Sequence, residues 1–141
     1  MNPSGDRLVK KHGWIFLIPK AFLEKQDSYY KQVLSKNKTW LESYSAHKRR
    51  FQKSPLLANK AHPLKHKLQD FWSSECCSGK RKGDRVVFFL IAKNVIYLVD
   101  ILPGHCYKEF ETIGAKNYPK NFRDAIKLES IRKLRERGLI I

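Results

Sequence analysis

Two apolar segments separated by a two-residue turn constrain the fold of this chain more than any other feature. Arg85 to Ile91 and Val95 to Leu102 are rich in β-branched and aromatic residues, and Lys93-Asn94 between them has the length of a tight hairpin turn. Strands that are apolar almost without interruption are covered on both faces in folded proteins. The sequence therefore predicts a central antiparallel hairpin with helices packed against it.

The N-terminal third supplies candidates for these helices. Apolar residues recur at three- and four-residue steps from Lys20 to Tyr44, which predicts one long helix or two, with an interruption at Asn37-Lys38-Thr39 and with Thr39 as the cap of the second. His12 to Ile18 reads as a short strand that precedes them.

The remainder completes a single α+β domain over residues 1–141. Ser73 to Gly83 is small, polar and punctuated by glycine, which is typical of a loop, and Ala125 to Arg137 is predicted to be a C-terminal helix. Residues 112–141 form a basic extension beyond the central elements.

The chain carries far more positive charge than solubility requires. It has 29 Lys and Arg against 13 Asp and Glu, a formal net charge of +16 that is spread along the whole sequence. A small domain stays soluble with a net charge of about 2–8. A polyanion is therefore the expected partner, with nucleic acid the leading candidate.

Several other classes of protein are disfavoured. The longest apolar run, Val86 to Ala92, is far shorter than the roughly 20 residues of a membrane-spanning helix, and no secretory signal is predicted. The cysteines, with Cys76 and Cys77 adjacent and Cys106 apart, match neither a disulfide framework nor a zinc-binding pair. We expect a cytoplasmic protein with reduced thiols, no metal, no cofactor and no membrane partner.

Residues capable of phosphodiester chemistry flank the predicted hairpin. Because an antiparallel hairpin brings its two ends together, the residues before the first strand lie near those that come after the second. These residues are Lys80, Arg81, Lys82 and Arg85 on the entering side, and His105 and Tyr107 on the leaving side, after the Pro103-Gly104 turn.

This combination suits RNA cleavage without a metal. A base takes the proton of the 2′-hydroxyl, cations stabilise the charge that develops on the phosphate, and an acid protonates the departing 5′ oxygen. Histidine serves as base or acid near neutral pH, and arginine holds phosphate with a planar fork. The simpler alternatives are that His105 is an exposed surface residue, that Tyr107 and Phe110 are core aromatics, and that His62 and His66 bracket a helix-like turn with a structural role.

Three short motifs carry a resemblance to a known family. They are "HPLKHKL" (His62 to Leu68), "KRKGDR" (Lys80 to Arg85) and "GHCYKEF" (Gly104 to Phe110). Their order around the paired strands resembles the RelE/ParE superfamily of bacterial toxins, most closely the ribosome-dependent mRNA interferases. The resemblance implies N-terminal helices packed on a small curved antiparallel sheet. It also implies metal-independent cleavage of mRNA in the ribosomal A site, and an acidic antitoxin protein as partner.

The resemblance also implies roles for individual residues. Arg85 would hold the scissile phosphate, His105 would act as acid or base, and His62 would contribute to the catalytic site. Phe110 falls where many members have a tyrosine, or in some a phenylalanine, that stacks on a base. Phenylalanine cannot transfer a proton, so either Tyr107 supplies a phenol or His105 alone is the acid. The remaining predicted RNA contacts are Lys65, Lys80, Arg81 and Lys82.

The sequence leaves two other functions open. One is a non-enzymatic poison of DNA topoisomerase, as in the ParE branch of the superfamily, where the catalytic groups are generally absent. The other is an RNA-binding or ribosome-binding protein without catalysis, which the composition alone would equally allow.

Overall fold

A six-stranded sheet organises the part of the chain that the computed structural model describes, namely residues 6–58, 60–64, 70–77, 84–102 and 119–140. The strands are β1 (Arg7–Lys11), β2 (Trp14–Ile18), β3 (His62–Pro63), β4 (Phe71–Glu75), β5 (Arg85–Ala92) and β6 (Val95–Leu102). The helices are α1 (Lys20–Gln32), α2 (Lys38–Lys53) and α3 (Lys120–Glu136), with a 3-10 turn, Leu34–Lys36, between the first two. The α+β class, with N-terminal helices and a C-terminal helix packed on a sheet, is confirmed.

The central hairpin is the one that the sequence predicts. β5 and β6 pair in antiparallel fashion, from Arg85 opposite Leu102 to Ala92 opposite Val95, and Lys93-Asn94 makes the turn. The strand order β1-β2-β6-β5-β4-β3 places this hairpin at the middle of the sheet. Its two strands therefore have a neighbour on each side.

Both faces of the hairpin are buried, as its continuous apolarity requires. On one side, here called the α1–α2 face, Val86 and Phe88 pack with Phe22 and Phe51 of the two N-terminal helices. On the other side, the α3 face, a second cluster joins the sheet to Leu134 of α3; its strand members are Ile15, Phe71, Val87, Phe89, Ile91, Val95 and Val99. The predicted C-terminal extension thus contributes to the core.

The sheet departs from the expected pattern at one junction. Four of the five neighbouring pairs are antiparallel, but β2 runs parallel to β6, with Ile15 opposite Val95 and Leu17 opposite Tyr97. Parallel neighbours need a long crossover connection. Here the connection after β2 begins with α1 and α2. An ion pair joins α1 to β6, with Lys25 Nζ 3.0 Å from Asp100 Oδ2.

An additional N-terminal strand was not predicted. The stretch assigned to one strand from His12 begins instead with a turn, because β1 pairs with β2 around His12 and Gly13. Both turn residues have positive φ, 53° and 83°, as the favoured two-residue hairpin turn requires. Short, cationic β1 lies at the edge of the sheet, where lysines discourage further strand pairing.

The predicted loop from Ser73 to Gly83 is wrong for its first residues, which belong to β4. Ser73 and Ser74 have no exposed surface, and Ser74 Oγ lies 2.7 Å from Nε2 of His47 on α2. Small hydroxyls fit beneath a helix when a partner satisfies them, so their polarity does not exclude a strand. Residues 78–83 lie outside the described ranges.

The boundary between the first two helices is set by Asn37. Its backbone is extended, with φ −152° and ψ 114°, and its side-chain oxygen accepts a hydrogen bond from the Trp40 backbone N–H at 3.2 Å. An asparagine in this position satisfies a donor that the first helical turn leaves unpaired. Asn37 therefore caps α2, and the assignment of this role to Thr39 is wrong.

The C-terminal helix begins five residues before the predicted start and is tied to the sheet by charge. Asp70, just before β4, lies 3.3 Å from Lys127 Nζ and 3.7 Å from Arg123 Nη1. The Arg123 guanidinium also lies over the Phe71 ring, 5.3 Å from its centroid.

In the described residues, no helix is long and apolar enough to cross a membrane.

Replacing the cap of α2 should destabilise the protein measurably. Asn37→Ala removes the acceptor for the Trp40 N–H, so we expect the free energy of unfolding to fall by about 1 kcal/mol in urea denaturation. Thr39→Ala is the matched control, because Thr39 is exposed and should change stability by less than about 0.5 kcal/mol. A larger loss for Thr39→Ala than for Asn37→Ala would contradict the assignment.

Stability should also depend on the protonation of His47. Burial, with a smaller contribution from Arg50, lowers its pKa from 6.5 to about 4. Between these values the unfolded chain binds a proton that the folded chain does not, so lowering the pH favours unfolding. We expect protonation of His47 to lower the free energy of unfolding by about 3 kcal/mol by pH 4.

The comparison of two variants isolates this contribution. His47→Gln should have a flatter dependence of unfolding free energy on pH between 6.5 and 4, whereas His12→Gln, at an exposed turn, should match the unaltered protein. Identical pH profiles for all three proteins would show that His47 does not titrate in this way.

Candidate functional site

The end of the central hairpin brings together the two chain segments that the sequence placed there. Arg85, the first residue of β5, lies opposite Leu102, the last residue of β6, and opposite Glu75 of β4 on its other side. The chain therefore enters β5 and leaves β6 at the same end of the sheet. Arg85 is only 8 % exposed, so its guanidinium is held in a largely dehydrated setting.

Strand pairing determines which face these side chains share. Residues directly opposite each other in a sheet project to the same side. Leu102 packs with the cluster on the α3 face, which places Arg85 and Glu75 on that face as well. His62 is opposite Ser73, two residues before Glu75 on β4, so it too belongs to the α3 face.

His62 and Arg85 are close enough to contact one substrate. They are separated by two strand spacings across the sheet and by two residues along it, which corresponds to about 12 Å between their Cα atoms. Both side chains start from the same face of the sheet.

The tautomer of the neutral His62 ring is set by its hydrogen bond. Nδ1 lies 2.8 Å from the Lys60 carbonyl oxygen, and because a carbonyl only accepts, Nδ1 carries the hydrogen. In the neutral ring, Nε2 then holds the lone pair and can take a proton. The side chain is exposed. His62 lies in a short strand, so the prediction that a helix-like turn begins there is wrong, and His66 lies outside the described residues.

Lys60 connects the histidine to Glu75, a contact that sequence reasoning missed. Its Nζ lies 3.4 Å from Glu75 Oε2, while its carbonyl holds His62. Lys60 has a left-handed backbone with φ 58°, which turns the chain into β3. No sequence motif marks this connection, because the two residues are 15 positions apart.

A buried polar cluster lies behind Arg85 and joins it to α1. Asp84, the preceding residue, is 1 % exposed, and its Oδ2 accepts a hydrogen bond of 2.6 Å from the Tyr29 hydroxyl. The same hydroxyl lies 3.0 Å from Cys77 Sγ, and the Cys76 N–H donates to the Asp84 carbonyl. The acidic residue within the basic "KRKGDR" motif is the sequence signal that points to this cluster.

Two groups of this cluster, the Tyr29 phenol and the Cys76 thiol, keep their protons because their pKa values are raised. Burial raises the pKa of Tyr29 well above its ordinary value, and Cys76 and the hydrogen bond to Asp84 raise it further, so the phenol remains a donor. The hydrogen bond to Cys77, together with burial, raises the pKa of the Cys76 thiol. Buried protonated thiols are poor nucleophiles, so the cluster is suited to holding β5 in place rather than to catalysis.

Of the nine predicted site residues, two can be placed. Arg85 and His62 share the α3 face. The other seven lie outside the described ranges: Lys65, Lys80, Arg81, Lys82, His105, Tyr107 and Phe110. Among the described residues, no group of three or more His, Cys, Asp or Glu side chains is arranged to hold a metal ion.

Removing the Tyr29 hydroxyl should destabilise the end of the sheet. Tyr29→Phe removes a 2.6 Å hydrogen bond to the buried Asp84 carboxylate, so we expect the free energy of unfolding to fall by about 1.5–3 kcal/mol. Tyr30→Phe is the matched control, because Tyr30 is 46 % exposed and should change stability by less than about 0.5 kcal/mol. Equal effects of the two changes, measured by thermal or urea unfolding, would refute the role given to this hydrogen bond.

Comparison of the chain with protein-family models, with curated proteins and with solved structures finds no match. The site is therefore described by its chemistry alone. It consists of a largely buried guanidinium and an exposed imidazole with a defined basic nitrogen, both on the α3 face.

Proposed function

We propose that this protein is an endoribonuclease that cuts mRNA in the ribosomal A site and acts as the toxin of a toxin–antitoxin pair. The observation that carries the proposal is the placement of Arg85 and His62 on one face at the end of the sheet. The basic segment Lys80 to Lys82 shortly precedes this end in the sequence, and His105 comes three residues after it.

The proposed cleavage needs only groups of this kind. A base takes the proton from the ribose 2′-hydroxyl, the 2′ oxygen forms a bond to phosphorus, and the bond from phosphorus to the 5′ oxygen breaks. An acid gives its proton to that 5′ oxygen. The products are a 2′,3′-cyclic phosphate and a 5′-hydroxyl, and no electrons are exchanged.

The described residues support specific roles. His62 presents a basic Nε2 because its Nδ1 is committed to the Lys60 carbonyl, which suits the first proton transfer. Arg85 retains its charge and holds the phosphate, and its low exposure strengthens the attraction to the negative charge that accumulates there. His105 is assigned the second proton transfer, with Tyr107 as a neighbouring phenol.

The charge of the chain supports a ribosomal substrate. A net charge of +16 accelerates encounter with RNA and adds affinity that does not depend on sequence. Lys65, Lys80, Arg81 and Lys82 are proposed phosphate contacts, and Phe110 a stacking platform for a base. An acidic antitoxin that covers the basic surface, and location in the cytoplasm where ribosomes are, complete the proposal.

Substitutions at the sheet end test the chemistry. In a translating extract, we expect His62→Ala to slow mRNA cleavage by about 10²–10⁴-fold, because a positioned base is lost. Arg85→Lys, which keeps the charge but loses the planar fork, should slow it by about 10²–10³-fold. Cleavage is measured by mapping the 5′ ends of the products, and thermal unfolding confirms that the variants fold.

A control at the other end of the sheet tests whether the loss of a histidine far from Arg85 affects cleavage. His12 lies in the β1–β2 turn, where the Asn94 side chain donates to the Gly13 carbonyl at 3.0 Å, far from Arg85. His12→Ala should cleave at the normal rate.

Normal cleavage by the double variant of Arg85 and His62 would disprove the assignment. Ribosome binding with intact mRNA would indicate a non-catalytic RNA-binding protein, and DNA breaks without translation arrest a topoisomerase poison.

A further inference from the structure

A cavity of about 160 Å³ lies on the opposite side of the sheet from Arg85 and His62. It is bounded by α1, α2 and the strands of the α1–α2 face, and we call it the α1–α2 cavity. Its apolar wall is formed by residues of the main core: Phe16, Phe22, Phe51, Val86 and Leu98. Nothing in the proposed cleavage reaction uses this space.

The size of the cavity matches one six-membered ring. An engineered apolar cavity of about 150 Å³ in another protein binds benzene. The walls here are themselves aromatic, with Phe16 and Phe51 rings 5.6 Å apart and the His47 ring stacked on Phe51 at the same separation. A flat ring is therefore the shape that the cavity accommodates best.

Polar side chains, among them Gln26, Tyr44 and His47, line the cavity and give it a hydrogen-bonding edge. Gln26 Nε2 donates to the Tyr44 hydroxyl oxygen at 2.9 Å, which leaves the Gln26 carbonyl oxygen as an acceptor and the Tyr44 hydrogen as a donor. His47 is 2 % exposed, and its Nε2 lies 2.7 Å from Ser74 Oγ. An apolar ligand would leave these groups unsatisfied.

The entrance is positively charged. Arg7 of β1 and Lys48 of α2 are exposed and line the same cavity, and Lys11 Nζ reaches Gln52 Oε1 beside them at 3.5 Å. Among the described residues that line the cavity, none is acidic. A ligand with a ring inside and an anionic group at the entrance satisfies both parts of the site.

We propose that the α1–α2 cavity binds a pyrimidine nucleotide, with the base between the helices and the sheet and the phosphate at Arg7 and Lys48. Uracil and cytosine are single six-membered rings that carry both donors and acceptors, so they fit the size and the polar edge together. A purine has two fused rings, so we expect it to fit this space less well. The nucleotide is either free or one nucleotide of an RNA strand, and the proposal does not depend on whether the protein cleaves RNA.

Calorimetric titration of the full chain tests the ligand class. We expect uridine or cytidine 5′-monophosphate to bind, and the corresponding nucleoside to bind at least about tenfold more weakly because it lacks the charged contact. Adenosine 5′-monophosphate should bind at least about tenfold more weakly than the better pyrimidine nucleotide, since its base is too large. No detectable binding of either pyrimidine nucleotide, or equal binding of the purine, would overturn the proposal.

Paired variants locate the site. Lys48→Glu should weaken pyrimidine nucleotide binding by about tenfold or more, whereas Lys36→Glu, the same charge change on the exposed 3-10 turn, should change it by less than about threefold. Leu23→Trp adds bulk to the cavity wall and should abolish binding, while Leu128→Trp on exposed α3 should not. Equal losses from Lys48→Glu and Lys36→Glu would show a diffuse charge effect and refute the site.

Titration with a short RNA distinguishes a free nucleotide from a nucleotide within a strand. If the site takes a base from a strand, a short oligouridylate should bind more tightly than the mononucleotide and lose affinity in Leu23→Trp. If it takes a free nucleotide, the mononucleotide should bind more tightly and the oligomer should not compete. Nucleotide binding that is lost in Leu23→Trp is measured without any cleavage assay, so failure of the nuclease proposal leaves this result unchanged.

Discussion

Burial of the β5–β6 hairpin on both faces is the constraint on which the rest of the architecture depends. Strands whose side chains are apolar on both sides cannot leave either side in water, so the chain must supply two separate covering layers. α1 and α2 form one layer through Phe22 and Phe51, and α3 contributes to the other through Leu134. A chain with a net charge of +16 can tolerate this arrangement because, in the part of the chain that the structure describes, most cations are exposed.

The same constraint separates two kinds of chemistry. The α3 face carries Arg85 and His62 where the hairpin ends, and Asp84, one residue earlier, is anchored to Tyr29 on α1. The α1–α2 face carries a cavity with an imidazole, a phenol and an amide at its wall. Because a rigid sheet lies between them, the two regions are able to differ in ligand, in exposure and in their response to pH.

The sequence predicted the elements whose signals are local. The hairpin from Arg85 to Leu102 was found because its residue preferences and its turn are contiguous, and α2 was found through its apolar repeat. β1 was missed because five residues with three cations resemble a solvated segment, and only pairing with β2 makes them a strand. Ser74 was assigned to a loop because its partner, His47, is 27 residues away.

The candidate site shows the same limit. Arg85 was identified because a cation at the start of a predicted strand is visible in the sequence, and His62 because it belongs to a recognisable motif. Their common face could not be predicted, since it depends on the register of β3 against β4 and of β4 against β5. The role of Lys60 could not be predicted either. Its carbonyl contacts His62 and its ammonium contacts Glu75, and neither contact is marked in the sequence.

The parallel junction between β2 and β6 has a consequence for biosynthesis. Ile15 pairs with Val95, a separation of 95 − 15 = 80 residues, so β2 has only β1 as a partner until β6 has left the ribosome. A two-stranded ribbon is marginally stable by itself, and contacts this distant in sequence form slowly. A nascent chain that lacks β6 would thus lack the middle of the sheet, and any activity that depends on the sheet would begin only after β6 has been made.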